Sequence, residues 1–204
     1  MSPRPYRLGR RRAASEETRA RIVAAARELI MAGSGAFSID SVAEQAGVAR
    51  MTVYYQFRSK IGLLEALFDD LASRGIAGEL QAAYAKPEPL DALAELIAVF
   101  GRFWSGERLV IRRIRGMAAL DPDFEQGLSA REERRRHGLR TILGRVVEKY
   151  GRPAQGAIDE AVDILYMLTS FETFDRLAAT RATDEVTAIV GRLCLQVLGL
   201  EQEA

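Results

Sequence analysis

SIDSVAEQAGVARMTVYYQFRSK, residues 38–60, is the stretch whose reading decides the fold. It reads as two short helices joined by a tight turn, with a third helix starting at its end. Ser38 is placed to cap the first helix, and Asp40 sits in the first turn, where a carboxylate suits the positive end of the helix dipole. Val42 and Ala46 lie four apart and face inward, and Ala43 is small enough for the next helix to approach. Gly47 supplies the backbone freedom that the turn needs, and Val48 plugs the turn into the core. The second helix then runs from Arg50 to Phe57 with Val53 and Phe57 on its buried side.

That buried side fixes the exposed one. At about 100° per residue, Met51 and Tyr55 point away from Val53 and Phe57, while Thr52 and Tyr54 lie on the flanks. A helix-turn-helix of this form lays its second helix in the DNA major groove. Arg50 can then bind a guanine edge or a phosphate. Thr52 can hydrogen-bond or touch a thymine methyl, and Met51 makes apolar contacts. The tyrosine hydroxyls reach phosphates, and Tyr54 also fits as a core aromatic with its hydroxyl at the surface. Ser59 caps the following helix, and Lys60 stands at its first position, where a cation opposes the dipole unless a phosphate lies there. Ser38, Arg50, Met51, Thr52, Tyr54, Tyr55 and Lys60 therefore form the expected DNA-facing set.

Upstream, residues 1–14 read as a flexible basic arm. Arg10, Arg11 and Arg12 beside the DNA-binding unit suit a phosphate backbone or a minor groove as well as they suit a solvated terminus. A supporting helix is predicted from Ser15, with Ile22, Ala26, Leu29 and Ile30 as its apolar stripe and Gly33 and Gly35 as its end.

The charge distribution agrees. The chain has 204 residues and a net charge of +1, but residues 1–60 hold 11 Lys and Arg against 5 Asp and Glu, a net +6. Residues 61–204 hold 18 against 23, a net −5, so only the first part is suited to a polyanion. Apolar residues make up 48%, enough for a substantial core. One cysteine, Cys194, and one histidine, His137, exclude an internal disulfide and a Cys/His zinc cluster. A single thiol fits a reducing compartment such as a cytoplasm. The N-terminus lacks the apolar segment of a secretion signal, and no apolar run of about 18 residues is present to span a membrane. No cofactor is expected.

The run GVARMTVYYQFRSKIGLLEAL closely resembles the end of the DNA-binding domain of tetracycline-repressor-type (TetR family) regulators. Gly47, Val48, Thr52, Tyr54, Phe57, Lys60 and Leu63 stand at that family's pattern positions, and TRARIVAAARELI and FSIDSVAEQAGV match upstream. The resemblance covers about residues 15–67. Ala49 departs from it, standing where many members carry a serine that caps the recognition helix and offers one possible phosphate contact.

The expected architecture is all-α with about nine helices: a helix-turn-helix domain over 15–60 and a helical effector-binding and dimerisation body over 61–204. Helices are predicted over 60–85, 90–104, 109–120, 123–150, 157–179 and 184–198, punctuated by Pro87, Pro89, Gly106, Pro122, Gly151 and Pro153. The charged run REERRRHGLR reads as a solvated face with His137 exposed. The last two helices carry apolar residues on more than one face, surplus to a lone domain. Val162, Val186, Ile189, Val190, Leu193 and Val197 are the expected dimer interface, and the resemblance implies a four-helix bundle across a two-fold axis, matched to a pseudo-palindromic operator.

The resemblance also implies an effector pocket in the body whose occupancy changes the separation of two DNA-binding units. Phe100, Phe103, Trp104, Met117, Tyr166, Phe171 and Phe174, with Met167, concentrate there and suggest an apolar ligand, with Tyr166, Glu172 and Asp175 as possible anchors. Each ring taken singly also fits an ordinary core. The expected function is a dimeric DNA-binding repressor released by a small apolar ligand. Its rivals are a DNA-binding regulator without an effector and an enzyme with an accessory helix-turn-helix. The enzyme is disfavoured because the chain offers no catalytic constellation or glycine-rich phosphate loop.

Overall fold

The computed structural model of the chain describes residues 4–33, 37–151 and 158–200, and among them it is all-α with eleven helices and no strand. They are α1 (Arg4–Ala32), α2 (Ile39–Ala46), α3 (Arg50–Phe57), α4 (Lys60–Gly75), α5 (Ala77–Ala85), α6 (Pro89–Gly106), α7 (Arg108–Ala118), α8 (Pro122–Tyr150), α9 (Ile158–Leu168), α10 (Phe171–Leu177) and α11 (Thr183–Leu198).

The helix count exceeds the expected nine because two predicted helices are each broken in two. The first break is at Ile76, which leaves helical geometry at φ −139°, ψ −15°. Gly75 has no Cβ, and one placed there would lie 2.9 Å from the Phe103 ring, so the ring approaches the backbone and Ile76 turns inward. The second break is at Thr169 and Ser170. Ser170 caps α10 by accepting from the Thr173 N–H at 3.3 Å, and the loosened carbonyls of Tyr166 and Thr169 are taken by side chains from α8 and α6. The first helix also begins earlier than expected. Arg4 to Ala14 continue α1 instead of forming an arm, and Ser15 lies inside the helix, not at its cap. Pro5 is tolerated because a first helical turn lacks N–H partners anyway. Met1 to Pro3 and Gly35 lie outside the described residues.

The described residues group into two compact units, one formed by residues 1–71 with 112–125 and the other by residues 72–111 with 126–204. In the first unit α1 packs on α2 and α2 on α3. Ile22, Ala26, Ile30, Val42, Ala46, Val53, Phe57, Leu63, Leu67 and Leu71 are all buried in this unit. Burying each larger aliphatic side chain contributes about 1.5–3 kcal/mol, which offsets the poor stability of eight-residue helices on their own. Arg113 caps the end of α1, donating to the Ile30 and Met31 carbonyls.

In the second unit α6 is central. It packs on α5, α10 and α11, and α11 packs on α9. Its sequence, PLDALAELIAVFGRFWSG, is apolar on several faces for that reason, with Leu93, Leu96, Ile97, Phe100, Phe103 and Trp104 all buried. Helix ends are tied by arginines: Arg145 donates to the Tyr84, Lys86 and Pro87 carbonyls after α5, and Arg108 to the Asp175 and Ala178 carbonyls at the end of α10. No helix of the described residues is long and apolar enough to cross a membrane.

Candidate nucleic-acid interface and body cluster

The start of α2 is held by serine hydroxyls, and the turn from α2 to α3 by backbone. Ser38, at φ −138°, ψ 162°, accepts from the Ser41 N–H at 3.1 Å, while its own N–H donates to the Ser41 hydroxyl at 3.0 Å. This capping box commits the Ser38 hydroxyl to holding the start of α2. Gly47 takes the left-handed conformation at φ 63°, and the Val48 N–H donates to the Ala43 carbonyl at 3.0 Å. Ala49 offers no side-chain cap to α3, whose first turn is closed by the Thr52 N–H on the Ala49 carbonyl at 2.8 Å.

Helix α3 divides as its sequence spacing requires. Val53 and Phe57 are buried. Met51 is 72% exposed and Tyr55 87%, so two large apolar side chains stand in solvent on the opposite face. Arg50 is exposed, and Thr52 and Tyr54 are half-buried on the flanks. The Arg50 guanidinium is held from two sides: it donates to the Tyr54 hydroxyl at 3.3 Å and lies 3.2 Å from the Asp40 carboxylate of α2. Tyr54 first and Asp40 second raise its pKa above the ordinary value. The Tyr54 hydroxyl accepts in this contact, so its own O–H remains to donate.

The loop after α3 is tight. Arg58 takes φ 65°, ψ −36°, a conformation that L side chains rarely adopt, and its N–H closes the helix on the Tyr54 carbonyl at 2.8 Å. Ser59 caps α4 by accepting from the Gly62 N–H at 3.0 Å. A Cβ at Gly62 would collide with the Phe57 carbonyl, so that position requires glycine. Lys60 is exposed at the first position of α4, with its ammonium 5.5 Å from the Phe37 ring centroid. A staple of α1 on the end of α3 has no counterpart in the sequence motifs. Gln56 donates to the Ser15 hydroxyl at 3.0 Å, Arg19 donates to the Gln56 carbonyl at 3.1 Å, and the Arg19 guanidinium lies 4.4 Å from the Phe57 ring centroid. Of the basic triplet, Arg12 is exposed and pairs with Glu16 one turn on at 3.0 Å; the side chains of Arg10 and Arg11 lie outside the described residues.

In the other unit, Phe100, Phe103, Trp104 and Phe171 interlock. Trp104 stands 5.6 Å from Phe100, 4.9 Å from Phe103 and 5.8 Å from Phe171, centroid to centroid. Phe174 is buried nearby in sequence on α10. Met117 belongs to the first unit, and Met167 is exposed. Beside the rings lies a buried charge. Arg135, from the run read as a solvated face, is 7% exposed. It pairs with Glu132 at 2.7 Å and donates to the Tyr166 carbonyl at 2.9 Å and the Thr169 hydroxyl at 2.8 Å. Its guanidinium lies 4.1 Å from the Tyr166 ring centroid. Trp104 donates to the Thr169 carbonyl at 3.1 Å, and the Tyr166 hydroxyl donates to Glu132 at 3.2 Å. Sequence reasoning missed Arg135 because a buried arginine inside a charged run has the same letters as an exposed one. His137 in that run is exposed, as expected. Of the possible anchors, Asp175 is held by Arg108 at 2.6 Å and Glu172 is exposed.

The expected interface residues separate into two sets. Val162, Val186 and Val190 are wholly buried within the chain itself, so they have no surface to offer a partner. Ile189, Leu193 and Val197, spaced by four on α11, form the stripe that faces outward, with Leu193 36% exposed. Among the described residues no group of three or more His, Cys, Asp or Glu is placed to hold a metal.

Residues 22–67 match the model of a family described as bacterial regulatory proteins, tetR family. Among solved structures, the fatty acid degradation regulator FadR from Bacillus halodurans superposes with a TM-score of 0.71 at 16% identity, over 87% of this chain and 94% of that one. The TetR family transcriptional regulator PfmR from Thermus thermophilus superposes with a TM-score of 0.62 at 18% identity, over 91% and 97%. No curated protein matches in sequence. The family match covers α2, α3 and their immediate supports, and 87% to 91% of the chain shares its fold with these regulators.

Proposed function

We propose that this chain, a DNA-binding regulator with a TetR-type helix-turn-helix on a TetR-like fold, is a repressor that works as a two-fold dimer and is released by a small apolar ligand. The observation that carries the DNA-binding reading is the outward face of α3. Met51 and Tyr55 gain nothing from standing in water, and beside Arg50 they suit base edges, sugars and phosphates. They sit in the basic part of the chain, residues 1–60. Thr52, Tyr54, Lys60 and the arginines at 10–12 complete the proposed contact set. The proposed boundary between DNA-binding region and body follows the chain near residue 60. The outward stripe of α11 is the proposed dimer surface, which would pair two recognition helices about 34–36 Å apart on a pseudo-palindromic site.

Release by a ligand is a population shift: an effector that binds better to a spacing unsuited to successive major grooves lowers DNA affinity by its differential affinity for the two states. The support is the Phe100–Phe103–Trp104–Phe171 cluster beside the polar groups of Arg135, Glu132 and Tyr166, an apolar wall with few polar groups. A structural neighbour bears the name of a fatty acid degradation regulator, which accords with an apolar effector here. One observation favours the effector-free alternative: the five rings at 100, 103, 104, 171 and 174 are each under 5% exposed, as a solid core would be.

Selection of binding sites from random duplex DNA, followed by a ligand screen for release from the selected site, tests both parts. Recovery of a two-fold symmetric sequence is expected. Failure to recover any sequence would overturn the DNA-binding reading, and a recovered site from which no apolar ligand releases the protein would favour the effector-free regulator.

A further inference from the structure

Asp40 is an acidic side chain on the surface that the DNA-binding reading turns toward a polyanion. Its carboxylate is 63% exposed, so burial does not account for it. Duplex DNA carries one phosphate charge per about 1.7 Å of axis, and a carboxylate beside it weakens binding to every sequence alike. Asp40 has one described ion-pair partner, Arg50, which lies on the next helix at the first position of α3.

The geometry at Arg50 shows what the pair does. One terminal guanidinium nitrogen lies 3.2 Å from the Asp40 carboxylate, and the other donates to the Tyr54 hydroxyl at 3.3 Å. The guanidinium lies 5.4 Å from the Tyr54 ring centroid. A guanidinium has five N–H donors, two on each terminal nitrogen. The Tyr54 hydroxyl takes one of them and the Asp40 carboxylate acts as an ion-pair partner without a hydrogen bond, so both terminal nitrogens keep a donor for a guanine O6/N7 edge. A free arginine on an exposed helix chooses among many rotamers and the abundant phosphates; this one is hydrogen-bonded to Tyr54 at one terminal nitrogen and ion-paired with Asp40 at the other.

We propose that Asp40 is a positioning residue that holds the Arg50 guanidinium for base readout and off the phosphate backbone, so that the pair sets the base preference at one position of each half-site. This rests on the DNA-binding reading above. It makes the α2–α3 angle part of the specificity, because the tether spans the two helices. It also gives Asp40 opposite effects on the two kinds of binding, weakening the non-specific one and sharpening the specific one.

The test uses the full chain as wild type, Asp40→Asn, Asp40→Glu and Arg50→Lys. Each is taken through selection from random duplex DNA, then titrated against its selected site, single-base variants of that site and a non-specific duplex. For Asp40→Asn, affinity for the non-specific duplex should rise several-fold, while discrimination at one base pair per half-site falls about tenfold. Arg50→Lys should lose discrimination at the same base pair, because an ammonium cannot bind bidentately. Asp40→Glu, which keeps the charge, should retain most of the preference. Equal gains of Asp40→Asn on specific and non-specific DNA would reduce Asp40 to a simple repulsive charge and overturn the proposal, as would unchanged discrimination. Loss of all binding together with loss of helical signal in both Asp40 variants would assign Asp40 to the fold instead. A wild-type chain that selects no sequence would overturn the DNA-binding reading itself, a result distinct from a wild type that selects a site whose preferences ignore Asp40.

Discussion

The outward face of α3 and the interior around Thr169 break opposite rules. On α3 a methionine and a tyrosine stand in solvent, 72% and 87% exposed, where apolar side chains gain nothing within the chain. Around Thr169 an arginine is buried to 7% exposure, where a charge is costly unless paired. The second violation is compensated inside the molecule, by Glu132, by two acceptors on the α9–α10 break and by the face of Tyr166. The first has no compensation among the described residues. A rule broken with internal compensation marks a structural element, and a rule broken without it marks a surface that something else covers.

Substitutions on the two sides should therefore separate stability from binding. The largest stability effect is expected from Arg135→Ala. It removes the cation that pairs with Glu132 and the guanidinium donor to the Tyr166 carbonyl, and should cost about 3–5 kcal/mol in urea unfolding. A cost under about 1 kcal/mol, within the range of ordinary hydrogen bonds, would show that the break does not depend on this pair. Leu193→Glu puts a charge on the outward stripe of α11 and should give monomers in sedimentation with the fold retained; a persisting dimer would place the interface elsewhere. Tyr55→Ala should lower specific DNA affinity by about 1–3 kcal/mol, the worth of a good base or backbone contact, while leaving unfolding within about 0.5 kcal/mol of wild type. If instead stability fell and binding did not, the comparison would be reversed. Ser38→Ala removes the capping box of α2 and should cost about 1 kcal/mol of stability in the DNA-binding unit.

The smallest effect is a pH dependence. Lys149 first, and the Tyr150 hydroxyl next, hold the Glu88 carboxyl below its ordinary pKa at the start of α6. The folded chain thus binds that proton less readily than the unfolded chain. The contribution is present above the ordinary carboxylate pKa and is lost as pH falls through the lowered value. Lys149→Met should flatten the acid limb of the stability profile slightly, and an unchanged limb would show that the contact carries no stability.

The two regions also differ in how they could be read from sequence. The α2–α3 unit is local. A cap, a left-handed glycine and two apolar residues four apart are all within 20 residues, so spacing alone gives the boundaries of α3 and its inside and outside. The body is long-range. Arg135 acts on residues 31 and 34 positions away, and Trp104 on one 65 positions away. Val186 and Ile189 have the same apolar character, yet one is wholly buried and the other half-buried, because which side of α11 meets α6 and α9 is a matter of packing.

By itself, then, the sequence determined the helical class, the helix-turn-helix with the inward and outward faces of its second helix, and the charge contrast between residues 1–60 and the rest, because these follow from periodicity and composition. Only the tertiary structure decided which residues of the last helix turn inward, that two long helices break at Ile76 and Thr169, and that one arginine of a charged run is buried. It also decided that Arg50 is tethered to Asp40, which has no periodic signature because the two lie on different helices. For each of these, the deciding atoms come from an element distant in sequence or across a turn, and local spacing carries no record of them.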